Sequence, residues 1–190
     1  MEGECLYKLG KFTEALAALE AVTTPTGKDF GVLALLRKGQ ALGQLKQWQK
    51  SLETLAAAAQ QHPDSAYLPD ILFEQGLAQK QLGKTPEAVA LFEQVVAKTN
   101  SPVAARAQFM IGEIEFEQKK HADAVKSFFK VIYGYSAPEW QANAAYEAAR
   151  CFEVLGKVEQ AVKQYQELVE KFPTSDKAPL AQQRLKQLKP

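Results

Sequence analysis

Very little in this chain points to chemistry. Of its 190 residues two are Cys, two His, two Met and two Trp, and the formal charge is +1, from 23 Lys and Arg against 22 Asp and Glu. That balance supplies no chain-wide attraction to nucleic acid or an anionic membrane. No window approaches 18 consecutive apolar residues, so no transmembrane helix is expected. A glycine-rich phosphate loop and a nucleophile–His–acid arrangement are both missing. His62 and His121 lie more than 50 residues apart and do not assemble a metal site with the distant cysteines. No enzyme, cofactor or metal is expected, and no nucleic-acid partner, because Lys119, Lys120 and Lys126 are too sparse to form a basic stripe.

What the chain has is repetition. A small residue is followed twelve positions on by another, four further by a large apolar one, and three on by an aliphatic residue or Ala. The series are Gly3, Ala15, Leu19, Val22, then Gly39, Ser51, Leu55, Ala58, then Gly76, Ala88, Phe92, Val95. Gly112, Ala124, Phe128, Val131 and Ala149, Ala161, Tyr165, Leu168 complete the set. Copies are spaced by 36, 37, 36 and 37 residues, a period that marks a stacked-repeat array. At 46% hydrophobic and 24% charged, the composition can support such a core.

Each copy reads as two amphipathic helices around a tight turn. In the third, Ile71, Leu72, Gly76, Leu77 and Leu82 predict a helix over Ala66–Leu82, with Pro69 tolerated in its first turn and Gly83 ending it. Pro86-Glu87 opens a second helix through Lys98, and Ser101 is placed to cap the next copy. Leu9-Gly10-Lys11, Leu45-Lys46-Gln47, Lys119-Lys120-His121 and Leu155-Gly156-Lys157 are the corresponding turns. No stretch alternates with period two, so no sheet is expected, and the longest irregular connector is Thr23–Lys28. The boundaries predicted are 1–27, 28–63, 64–100, 101–136 and 137–173, within one domain spanning 1–190. A final helix at 175–188, apolar on one side and polar on the other, closes the array.

Small residues at helix crossings allow close approach, with Gly39 expected to face Ser51 and Gly76 to face Ala88. Leu55, Phe92, Phe128 and Tyr165 are expected to fill the groove between consecutive repeats. Trp48 is expected to pack its two helices together and Trp140 to make a capping contact. Cys5 and Cys151 hold equivalent places in the first and fifth copies. Four repeats of stacking separate them by roughly 30 Å, whereas a disulfide needs Cα atoms within about 7 Å. Both are expected to be buried small apolar residues. The chain enters the pattern at Gly3, so the opening helix looks truncated and further residues upstream are expected.

The small residue of the first helix, the turn, the Ala opening the second helix and the closing Pro or polar residue resemble the tetratricopeptide repeat (TPR) family. Two features depart from it: the period of 36–37, and Leu35, Leu72, Gln108 and Ala145 where an early Trp is frequent. The long first helices and the ending from Tyr165 through Phe172-Pro173-Thr174-Ser175 resemble bacterial envelope members, among them the Tol-Pal coordinator and the lipoprotein of the outer-membrane assembly machine. The resemblance implies an all-α, right-handed superhelical solenoid of about five helical hairpins plus a C-terminal capping helix. It also implies a concave face, lined by first helices, that takes a protein or peptide partner.

Periodicity assigns residues to that face: Leu36, Gln40, Phe73, Leu77, Lys80, Arg106, Phe109, Glu113, Phe116, Tyr146 and Arg150. The apolar ladder Leu36, Phe73, Phe109, Tyr146 is open to two readings, a groove lining or plain core between first helices. The expected role is a protein-interaction scaffold. The alternative is a self-associating or spacer module of a larger envelope-associated protein, forming homo-oligomers through apolar Leu6 and Leu9. The compartment is periplasmic if a leader was removed and cytoplasmic otherwise.

Overall fold

The computed structural model describes residues 2–21 and 28–188, and every regular element among them is helical. Two compact units divide the chain, Met1–Lys98 and Thr99–Pro190. The first holds α1 (Glu2–Lys8), α2 (Phe12–Glu20), α3 (Lys28–Gln44), α4 (Trp48–Gln61), α5 (Leu68–Gln81) and α6 (Thr85–Lys98). The second holds α7 (Pro102–Glu117), α8 (His121–Gly134), α9 (Pro138–Val154), α10 (Val158–Lys171) and α11 (Lys177–Leu188). The expected Thr23–Lys28 connector, apart from Lys28, lies outside the described residues, as does Val22 of the first series. No helix among the described residues is long and apolar enough to cross a membrane.

The five turns are one motif. Gly10, Lys46, Gly83, Lys119 and Gly156 all adopt positive φ, between 58° and 77°. Each donates its N–H to the carbonyl three residues back, and the next residue donates to the carbonyl five back, as in Lys119 to Phe116 and Lys120 to Glu115. This Schellman pattern satisfies the last carbonyls of the first helix and reverses the chain within two or three residues. Glycine takes the left-handed conformation freely, but Lys46 and Lys119 carry a Cβ into it. Helix α6 begins one residue earlier than its proline suggests, at Thr85 with Pro86 in its first turn. Ser101 holds the N-cap position of α7, yet its side chain makes no capping bond.

In the hairpins whose small residue is glycine, that residue also lies under the large residue of its own hairpin. A Cβ on Gly76 would lie 2.6 Å from Phe92, one on Gly112 2.7 Å from Phe128, and one on Gly39 2.4 Å from Leu55. The large residue of the same hairpin therefore occupies the space over the bare backbone, so it fills its own hairpin first. The two small residues still meet in the second copy, where Ser51 Oγ donates to the Gly39 carbonyl at 2.7 Å. Leu55, Phe92, Phe128 and Tyr165 are all fully buried.

Within each unit the described helices pack on near neighbours along the chain. In the first unit each helix packs on the next, and first helices α1, α3 and α5 also meet in succession. The second unit repeats this with α7, α9 and α11. Stability then comes from neighbour-on-neighbour burial, as stacked repeats require. Helix α11 lays Ala178 and Ala181 against the core and leaves Gln182, Gln183, Lys186 and Gln187 exposed, which suits a terminal element. Its start is held by Ser175, whose Oγ accepts from the Lys177 N–H at 3.1 Å.

Because Lys119 holds a left-handed conformation that glycine adopts without penalty, Lys119→Gly should stabilise the protein by about 1 kcal/mol. Urea unfolding with an unchanged m-value is the measurement; a loss of stability would show that the lysine side chain supplies more than the turn costs.

Candidate interaction face

The first helices carry the residues assigned from periodicity, and the structure sorts them into two sets. Leu36, Phe73 and Phe109 are interior, at 3%, 2% and 7% exposure. Phe73 packs on Phe92 with ring centroids 5.5 Å apart, and Phe109 contacts Phe128 at 5.3 Å and Trp140 at 5.4 Å. These three side chains are packed in the interior and leave little surface of their own exposed. Gln40, Leu77, Lys80, Arg106, Glu113, Phe116 and Tyr146 are half-buried, and Arg150 is exposed.

In the first unit a polar chain crosses three first helices. Arg37 of α3 donates to both carboxylate oxygens of Glu4 on α1, at 2.6 and 3.1 Å, and through Nη1 to Gln40 at 2.7 Å. Gln40 Nε2 in turn donates to Glu74 of α5 at 2.9 Å. The Arg37 hydrogen bond is the largest influence on Glu4 and holds its carboxyl below the usual range. Arg37 also lies over the Tyr7 ring, 5.4 Å from its centroid. Gln40, Leu77 and Glu74 border one cavity, with Trp48 on its wall.

The second unit uses cations laid on rings. Arg106 sits 5.5 Å from the Trp140 centroid, Arg150 of α9 5.2 Å from Phe116 of α7, and Lys177 of α11 5.9 Å from Tyr146 of α9. Such pairs contribute about 0.5–1 kcal/mol when exposed and more when desolvated. Tyr146, Arg150, Glu153, Val154 and Arg184 line a hollow of about 340 Å³. At its base Glu153 of α9 accepts from Tyr165 Oη of α10 at 2.6 Å and from Arg184 Nε of α11 at 3.2 Å, and forms an ion pair with Arg184 Nη2. One carboxylate thus ties three helices together.

The charges respond to this setting. Burial is the largest influence on Glu153 and pushes it up, but hydrogen bonds from Arg184 and Tyr165 outweigh it and leave the carboxyl below its usual range. Tyr165 is raised, by burial first and by the Glu153 bond second. Glu147, on the same helix, is raised by burial against the opposing pull of Arg150, its partner at 2.7 Å. Cys151 is buried and its thiol is pushed up to about 12, chiefly by burial, which disfavours the thiolate. Cys5, expected to be buried, is exposed on α1, and both cysteines are free. No group of three or more His, Cys, Asp and Glu among the described residues could hold a metal ion.

Sequence periodicity did not single out Arg37, Lys177 and Arg184, whose contacts cross from one helix to another. A pairing signal was available for Arg150, three residues after Glu147, but not for bonds that cross helices. Trp140 makes a contact with Phe109 and Arg106 more than it caps a helix end.

Tandem helical hairpins, each built on a small-for-large crossing and a left-handed turn, define an all-α repeat protein of the solenoid class. The sequence matches the tetratricopeptide repeat family over residues 1–66 and 73–139, and again over 143–175, and the chain belongs to that family. Among solved structures it is similar to MamA, at 19% identity over 89% of this chain and 87% of that one, with a TM-score of 0.67. A putative kinesin light chain of Podosopora anserina with nearly identical TPR-like repeats matches at 18% identity over 87% and 89% of the two chains, TM-score 0.67. BtubC from P. vanneervenii matches at 12% identity over 88% and 76%, TM-score 0.74. At these identities the likeness concerns the fold. No curated protein matches the sequence.

Phe109→Ala should cost about 3–5 kcal/mol of stability, as expected for a buried aromatic that leaves a cavity. Chemical denaturation gives the value; a cost under about 1 kcal/mol would return Phe109 to the exposed set. The depressed value of Glu153 means that its carboxylate stabilises the fold above the ordinary carboxylate range and that this contribution is lost as pH falls through the depressed value. Glu147, raised, acts in the opposite sense: its contribution is present below the ordinary range and lost as pH rises. Glu153→Gln should therefore lower stability at neutral pH and make the decline toward acid shallower than in the wild type. Unfolding free energies across a pH series test this, and parallel curves would count against it.

Proposed function

We propose that the protein is a protein-interaction scaffold whose first helices dock an extended or helical segment of a partner. The observation that carries this reading is the set of half-buried side chains fixed across neighbouring first helices. In one unit these are Gln40, Leu77 and Lys80 beside the Glu4–Arg37–Gln40–Glu74 chain. In the other they are Arg106, Glu113, Phe116 and Tyr146, with the exposed Arg150 laid over Phe116. Arginine and aromatic residues held in place before binding lose little entropy on association, and they are the types that dominate interface energetics. Leu36 and Phe73 are buried in the first of these units and Phe109 in the second. Membership of the tetratricopeptide repeat family supports an interaction role.

A second reading, self-association as a spacer in a larger envelope-associated protein, draws on Leu9 and Phe30, which are 71% and 64% exposed in the first unit. Exposed apolar side chains of this size favour association. Light scattering across concentration separates the two, since a strict monomer removes the oligomer.

Panning a displayed peptide library against the chain should enrich a sequence family whose binding is measured by calorimetry. Arg150→Ala and Tyr146→Ala are each expected to weaken such a peptide by about tenfold while the helical circular dichroism stays unchanged. Failure to enrich any peptide, or equal affinity for the variants, would sink the docking reading.

A further inference from the structure

The five hairpins repeat one pairing beside the turn. The fourth residue after the small site of each first helix corresponds to the opening residue of the second helix. In α1–α2 this pair is Tyr7 and Phe12, whose rings meet edge-on at 5.5 Å. In α7–α8 it is Phe116 and His121, edge-on at 4.9 Å. The pairs Lys80 and Thr85, and Glu153 and Val158, contain no ring. In α3–α4 the pair is Gly43 and Trp48, so the largest ring of the set faces a residue with no side chain.

Trp48 leans over that bare position. A Cβ on Gly43 would lie 3.3 Å from Cζ3 of Trp48, so the indole edge stands against bare backbone. Beside it opens a cavity of about 240 Å³ between α3, α4 and α5. Leu77 and Ala78 give it an apolar wall, while Gln40, Gln81 and Glu74 contribute polar groups. At about 30 Å³ of liquid volume per water, it is roomy enough to exchange several waters for a six-membered ring.

We propose that this cavity seats an aromatic side chain of a partner protein segment, which completes on Trp48 the ring pair that two sister hairpins make from their own residues. The inference rests on the reading of the first helices as a docking face, and it names the anchor that the face selects. Edge-on and tilted ring pairs add about 0.5–1.5 kcal/mol beyond area burial, which an aliphatic anchor does not gain. Tyrosine suits the seat best, because its hydroxyl can reach the glutamine amides and the Glu74 carboxylate. Lys46 borders the same cavity and opposes a guanidinium, the other planar group that stacks on indole.

The test uses the full chain labelled with nitrogen-15 and three probes: N-acetyl-tyrosine amide, N-acetyl-leucine amide and N-acetyl-arginine amide. The tyrosine probe should shift the Trp48 indole N–H and the Gln40 and Gln81 side-chain amides while leaving the Trp140 indole in place. Its affinity should exceed that of the leucine probe by about three- to tenfold. Gly43→Phe, which puts a ring into the seat from within, should remove the response. Trp48→Leu provides a second variant should the first fail to fold, and it should erase the preference for tyrosine over leucine. An unmoved Trp48 indole, equal binding of the leucine or arginine probe, or an undiminished response in a folded variant would overturn the proposal. A panned peptide that binds without moving the Trp48 indole overturns the seat alone, whereas failure to enrich any peptide removes the docking reading itself.

Discussion

Everything in this fold follows from how closely two helices of a hairpin can approach. A glycine on the first helix leaves backbone exposed, and a leucine or phenylalanine from the second helix lies directly on it. The contact is tight enough that a single Cβ would collide with the ring or branch above. Close approach brings the apolar stripes of both helices to one side, where the next hairpin covers them. Because the crossing is made inside each copy, the outward-projecting residues of the first helices are relieved of packing duty. They can then vary from Gln40 to Leu77 to Glu113 to Arg150 without disturbing the core.

That division of labour explains what was legible in the sequence. The small and large positions recur because sterics admits few residues there, so helix order, turns and the closing helix could all be read from spacing. All the turns could be placed from spacing, but at Lys46 and Lys119 no glycine announced the left-handed conformation, which hydrogen bonding to the helix end holds. The ladder Leu36, Phe73, Phe109, Tyr146 had one period and two destinies. Three members sink into the interior while Tyr146 stays half-buried beneath Lys177, and helical period alone does not distinguish the inner edge of a face from its floor. Bonds between helices, such as Arg37 to Glu4 and Arg184 to Glu153, lie 33 and 31 residues apart in sequence and leave no periodic trace.

The two units solve the same problem with different chemistry. One links its first helices by a relay of hydrogen bonds through carboxylate, guanidinium and amide. The other lays cations over aromatic rings and, beside them, joins three helices through a carboxylate shared by a tyrosine and an arginine. Each arrangement holds long side chains in place at a partly exposed surface, where an isolated ion pair contributes little. Their value lies in order rather than in stability: side chains already fixed need not be frozen again when another surface arrives.

The neighbour-only packing within each unit also bears on how the chain acquires its structure. Most contacts join residues fewer than about forty positions apart, so little chain entropy must be lost before they form. Low contact order of this kind goes with rapid folding. A hairpin that has left the ribosome can settle against its predecessor without waiting for distant sequence, and synthesis from the N-terminus would assemble each unit in the order in which its helices are numbered.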